Sequence, residues 1–141
     1  MNKIKKQSAY QHDRTCVYNI HYHVIWCVKY RNQVLTPAIA DDLKTVLDVI
    51  ASEKGFIIEA CEIGDGDHIH VFVTAKPKLS ITSIVTWMKG ISARRLFLMH
   101  PELKKQLWGG HLWNGSYFVE TIGSTSEDNI RRYIENQKKH S

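Results

Sequence analysis

A chain of 141 residues, 43% apolar and 23% charged, has the size of one domain with a real core, and no apolar run approaches the roughly 20 residues a membrane-spanning helix requires. Nineteen Lys and Arg against 14 Asp and Glu leave a net charge of +5, which favours polyanionic partners. The basic start, Met1 to Gln7, leads into no apolar signal core or small-residue cleavage site, so export is not expected. Cys16, Cys27 and Cys61, odd in number and widely spaced, read as reduced thiols filling the core of a cytoplasmic protein.

The pattern predicts a single domain over 1–141, with 1–15 as a basic arm that is flexible or ordered only on docking. From Val17 to Val28 the chain is rich in β-branched and aromatic residues and reads as one long strand, closed by Lys29, Tyr30, Arg31 and Asn32. Thr36-Pro37 then offers an N-cap followed by a proline in the first turn. Ile39, Leu43, Val46, Leu47 and Ile50 recur at helical spacing up to Gly55. Phe56 to Ile63 and His68 to Thr74 read as strands of a hairpin joined by Gly64-Asp65-Gly66-Asp67.

Ser80 is placed to cap a second helix whose apolar face is Ile81, Ile84, Val85, Met88 and Ile91. The stretch 100–115 lacks a period and reads as a loop around a short helical turn, in which Trp108 and Trp113 are expected to pack or to meet a second copy. Ser116 to Ile122 is a fourth strand. Ser124-Thr125-Ser126-Glu127 resembles a capping box and starts a last helix within 124–141. The expected fold is α+β. It is a ferredoxin-like split βαβ unit with an antiparallel four-stranded sheet, helices on one face, an open opposite face, and an extra C-terminal helix.

His68-Ile69-His70 on a strand sends both imidazoles to one face, a geometry that suits a metal ion. The acidic turn before them is positioned to add a ligand or orient a ring. Tyr133 and Gln137, four residues apart, share one face of the last helix amid Arg131, Arg132, Lys138 and Lys139. Phosphoryl transfer to tyrosine requires a hydroxyl nucleophile, a Lewis acid and positive charge around the phosphate, and all three are on hand. With an ordinary pKa of roughly 10, a tyrosine needs a metal or cationic surroundings to attack at neutral pH. A phosphotyrosine conserves the energy of the bond it replaces, so no nucleotide cofactor is expected, and no Walker-type glycine loop is found.

Tyr22 to Arg31, Asp67-His68-Ile69-His70-Val71, Lys89-Gly90-Ile91-Ser92-Ala93-Arg94-Arg95, Leu107-Trp108-Gly109-Gly110 and Tyr133-Ile134-Glu135-Asn136-Gln137 resemble, in order, the motifs of the insertion-sequence 200/605 transposases. These are single-tyrosine members of the His-hydrophobic-His nuclease superfamily, and the likeness runs from about Tyr18 to Lys138. The resemblance implies a homodimer that excises and inserts single-stranded DNA through a 5′-phosphotyrosine on Tyr133. It further implies Mg²⁺ or Mn²⁺ on His68, His70 and Gln137, and recognition of hairpins near the element ends. Relatives often set the tyrosine helix of one subunit against the histidines of the other, and Gly123 to Ser126 is the candidate hinge for such an exchange; same-subunit and exchanged arrangements both stay open.

Lys29, Tyr30, Arg31, Lys89, Arg94 and Arg95 are the expected DNA contacts, cations for phosphates and aromatics for unpaired bases. His21 and His23 share a strand face that can approach the site, although a structural role is the favoured reading. The chain departs from many relatives at Gly64 to Asp67, where a hydrophobic residue and proline usually precede the aspartate, a change expected to loosen the hairpin. Three alternatives stay open. One is a domesticated relative processing chromosomal palindromes, one a non-catalytic module for single-stranded nucleic acid, and one a hydrolytic metalloenzyme in which Tyr133 is dispensable.

Overall fold

The computed structural model describes residues 10–107 and 109–123. Four strands form one antiparallel sheet: β3 (His21–Cys27), β4 (Ile57–Gly64), β5 (His68–Thr74) and β6 (Phe118–Ile122), in the order β4-β5-β3-β6. The first and third of these strands in the chain thus lie side by side at the centre. A two-stranded hairpin, β1 (Gln11–His12) with β2 (Val17–Tyr18), stands apart from it.

The long strand expected over Val17–Val28 is therefore divided. Asn19 turns its side chain onto the His21 ring, 2.5 Å away, while the Ile20 carbonyl still accepts from the Ala75 N–H at 3.0 Å. The local contact at Asn19 competes with continued strand pairing. Val17 and Tyr18 instead pair back onto Gln11 and His12, within the segment expected as an arm. The fourth strand is shorter than expected, beginning at Phe118. The Ser116 carbonyl accepts from the Lys89 ammonium at 3.1 Å and so is drawn toward the second helix.

Helix α1 (Pro37–Lys54) starts and stops as the sequence predicts. Thr36 caps the Ile39 N–H, Pro37 occupies the first turn, and Gly55 takes the left-handed φ of 84° that a side chain would disfavour. Ser80 caps α2 (Ile81–Met99) through the Ser83 N–H at 3.1 Å. A short helix, α3 (Leu103–Gln106), interrupts the long loop. Leu43, Leu47 and Ile50 of α1, Ile84, Val85 and Met88 of α2, Val24 and Trp26 of β3, and Ile69, Val71 and Val73 of β5 make one continuous core. Burial of this surface is the main force holding helices to sheet.

Trp113 packs edge-on against Trp26 and donates its indole N–H to Ser92 at 3.0 Å, the packing role expected for it; Trp108 lies outside the described residues. Of the cysteines only Cys61 is fully buried, and burial pushes its thiol up to about 12; Cys16 and Cys27 are half-buried.

Candidate metal centre

Alternation along β5 sends Ile69, Val71 and Val73 into the core and His68, His70, Phe72 and Thr74 to the opposite face. The two imidazoles have ring centroids 5.2 Å apart and planes inclined at 67°. This face was expected to be open. Along β5 it is closed, with none of the four residues more than 6% exposed. On this face His23, beside them on β3, stacks on Phe72 at 4.6 Å and on His70 at 5.2 Å. Solvent reaches the face at its β6 edge, where Phe118 is 51% exposed.

His68 is held from the hairpin turn. Its Nδ1 lies 2.7 Å from Asp67 Oδ1, and Arg31 donates from Nε to Asp67 Oδ2 at 3.1 Å and from Nη2 to Oδ1 at 3.2 Å. Burial works to raise the Asp67 carboxyl, but the hydrogen bonds from Arg31 and His68 outweigh it, and the group stays ionised below the usual carboxylate range. To reach the carboxylate, the chain takes the left-handed region at Tyr30 and Arg31, with φ of 59° and 56°. Two successive non-glycine residues there carry strain that the surrounding bonds must overcome.

The turn is better fastened than its departure from the family pattern suggests. Asp65 and Gly66 have φ of 52° and 70°, conformations that an Asp-Gly pair accepts readily. The Asp67 N–H closes onto the Gly64 carbonyl at 3.1 Å. The Gly66 and Asp67 carbonyls accept from Leu35 and Val28 at 2.9 and 2.8 Å. Gly64 leaves room for the site, because a Cβ there would collide with the Nε2 edge of the His68 ring unless that ring shifted.

His70 is held from inside the sheet. Its Nδ1 shares a hydrogen bond with His23 Nε2 at 3.0 Å, and His23 Nδ1 lies 3.3 Å from Glu120 Oε1 on β6. The remaining ring nitrogen, His70 Nε2, is buried and has no hydrogen-bond partner among the described residues. Burial, with the nearby His23 and His68 rings, lowers the His70 pKa to about 4, so the imidazole is neutral at pH 7. His23 is lowered too, by burial that outweighs the opposing Glu120 contact. An orphaned, neutral, buried ring nitrogen next to a second imidazole fits a divalent transition ion, which needs a lone pair rather than a proton there. Asp65, Asp67 and His68 also bring three ligand atoms within 4.8 Å of one another, although the Asp67 carboxylate is already engaged by Arg31.

Tyr133 and Gln137 lie outside the described residues, as does the segment 124–141. Among the expected DNA contacts, Arg31 grips Asp67, and Lys29 lies over the Tyr30 ring at 5.3 Å. Lys89 donates to the carbonyls of Asn114 at 2.7 Å and Ser116 at 3.1 Å, and burial lowers its pKa. Arg95 pairs with Glu53 at 3.6 Å, and Arg94 is exposed on α2. His23, whose strand face can approach the site but for which sequence reasoning favours a structural role, sits on His70, a proximity signalled by the matching period-two histidines at 21, 23, 68 and 70. Glu120 is missed by sequence reasoning and carries no such signal, since only the β3–β6 register puts it opposite His23.

Fold and site together define an α+β protein whose antiparallel sheet carries a buried pair of imidazoles. Residues 16–137 match the family described as IS200-like transposases, and the chain belongs to that family. It is 45% identical to the ISDra2 transposase TnpA of Deinococcus radiodurans over 124 residues, 88% of each chain. It is 27% identical to the transposase for insertion sequence element IS200 of Salmonella typhimurium, over 86% of this chain and 81% of that one. A crystal structure of a transposase from Deinococcus radiodurans superposes with a TM-score of 0.75 at 43% identity, covering 90% of this chain and 97% of that one. A REP-associated tyrosine transposase bound to a REP hairpin shares the fold at 15% identity, with a TM-score of 0.59 over 93% of this chain and 74% of that one.

Proposed function

We propose that this IS200-family transposase cleaves and rejoins single-stranded DNA at insertion-sequence ends, with Tyr133 as nucleophile and His68, His70 and Gln137 as holders of one Mg²⁺ or Mn²⁺ ion. The observation that carries the reading is His70 Nε2, a buried lone pair without a described partner, beside the His68 ring. Such an ion, when bound, supplies Lewis-acid polarisation of the scissile phosphate.

The chain's own residues do the rest. The Tyr133 oxygen attacks the phosphorus, the bond to the 3′ oxygen breaks, and that oxygen leaves as a hydroxyl once it gains a proton; the 5′ phosphate stays on tyrosine. A 3′ hydroxyl from another strand then attacks the phosphotyrosine and releases the phenol, so the number of phosphoester bonds is unchanged and no nucleotide is consumed. Asp67 holds the His68 ring in place, and burial keeps His70 unprotonated and ready to ligate.

The sheet order supports a ferredoxin-like split βαβ fold, and the proposed chemistry has Tyr133 and Gln137 reach the histidines from the same subunit or a partner. Terminal hairpins are the proposed recognition element, and Lys29, Tyr30, Arg31, Lys89, Arg94 and Arg95 remain the proposed contacts, with Arg31, Lys89 and Arg95 engaged within the protein before DNA arrives. The 45% identity to an insertion-sequence transposase favours element mobilisation over palindrome processing. No helix of the described residues is long and apolar enough to cross a membrane.

Incubation with hairpin-bearing single-stranded DNA and Mn²⁺ is expected to give a covalent protein–DNA adduct on denaturing gels. Tyr133→Phe should abolish it. An adduct that persists in that variant, or none with wild-type protein, would refute the assignment.

A further inference from the structure

His23 and Glu120 play no part in the ligand set, yet they are bonded in series behind one ligand. The series runs Glu120 Oε1 to His23 Nδ1 at 3.3 Å, then His23 Nε2 to His70 Nδ1 at 3.0 Å, leaving His70 Nε2 at the buried end. Each link constrains the next. An ionised carboxylate can only accept, so His23 Nδ1 is the nitrogen that carries a proton. A neutral imidazole has one N–H, so His23 Nε2 is an acceptor. His70 Nδ1 must then donate to it, and the lone pair of His70 falls on Nε2.

The reverse order fails on its own terms. If His23 Nε2 donated instead, the His70 proton would sit on Nε2, a buried donor with no described partner, which is unfavourable. His23 is 1% exposed and lies flat on Phe72, with planes 6° apart, so its ring has no room to turn over.

We propose that His23 and Glu120 are positioning residues that fix the tautomer of His70, through an imidazole relay, so that Nε2 is presented as a ligand. The inference rests on the metal reading above. It extends the familiar carboxylate–histidine–metal arrangement by one ring, whereas Asp67 serves His68 in the direct form.

The test uses full-length, metal-free protein with ¹⁵N-labelled histidine, read by long-range proton–nitrogen correlation, and Mn²⁺ binding by calorimetry. Wild-type protein is expected to show His70 and His23 protonated at Nδ1 and bare at Nε2. Glu120→Leu alters a side chain 40% exposed at the sheet edge. It should mix the tautomers of both rings and weaken Mn²⁺ binding on the order of tenfold. Glu120→Gln, whose amide oxygen can still accept, should restore most of both, which a merely structural role would not produce. His70 protonated at Nε2 in a protein that binds Mn²⁺, or a Glu120→Leu variant with unchanged tautomers and affinity, would overturn the relay alone. The expected tautomers without any Mn²⁺ uptake would overturn the metal reading, and with it the relay's purpose.

Discussion

The two imidazoles of His68-Ile69-His70 are separated by a single residue and are held in opposite ways. His68 sits at the end of β5, tied to a carboxylate on the adjoining turn that is gripped in turn by Arg31, a side chain 57% exposed. His70 sits mid-sheet, tied through a second buried ring to a glutamate on the edge strand. One ligand is set by local chain geometry and the other by strand register. The first kind of support is robust to changes elsewhere in the sheet, and the second depends on β3, β5 and β6 staying aligned.

The largest test of the contrast is acid. Folded His70 takes up a proton only near pH 4, whereas in an unfolded chain it does so near 6.5. Between those values the unfolded state binds more protons, so stability falls as pH drops through that window, by on the order of 2–3 kcal/mol for this group. Denaturant titrations of metal-free protein at pH 7.5 and pH 4.5 should show that loss in wild type, and a smaller one in His70→Leu. An equal loss in both would place the sensitivity elsewhere.

The turn-borne support is broken by Asp67→Ala, which removes the partner of His68 Nδ1 and releases Arg31. Calorimetry should show Mn²⁺ affinity lower by roughly 10- to 100-fold. Unchanged affinity would mean that His68 needs no orienting carboxylate. The smallest change is Gly64→Ala, in which the new methyl meets the His68 ring from across the hairpin. A destabilisation of about 1–2 kcal/mol is expected from this overpacking, read as a lowered thermal midpoint with or without metal. A midpoint equal to wild type would show that the ring moves aside at no cost.

The helices and the histidine pair were legible in the sequence because they rest on short-range rules. Thr36, Pro37 and Gly55 bound α1, Ser80 opens α2, and the i, i+2 spacing puts His68 and His70 on one face. The family motifs added Tyr133 and Gln137, which lie outside the described residues. What could not be read depends on distant partners. The break at Asn19 comes from a contact with the His21 ring and from pairing back onto Gln11 and His12. The link from Glu120 to His23 spans 97 residues and exists only through register. Arg31, expected on DNA, is held to Asp67 by a left-handed backbone that nothing in Lys29-Tyr30-Arg31 announces.

The thiols offer a practical handle. Cys61, sealed in the core, keeps its proton far above neutral pH, so alkylating reagents and peroxides find no thiolate there in the native protein. Cys27 lies directly across from His68 in the β3–β5 ladder and is half-buried. A small fluorophore or spin label attached there, in a Cys16→Ser background, would sit one strand from the proposed ion and would feel a paramagnetic Mn²⁺ arrive.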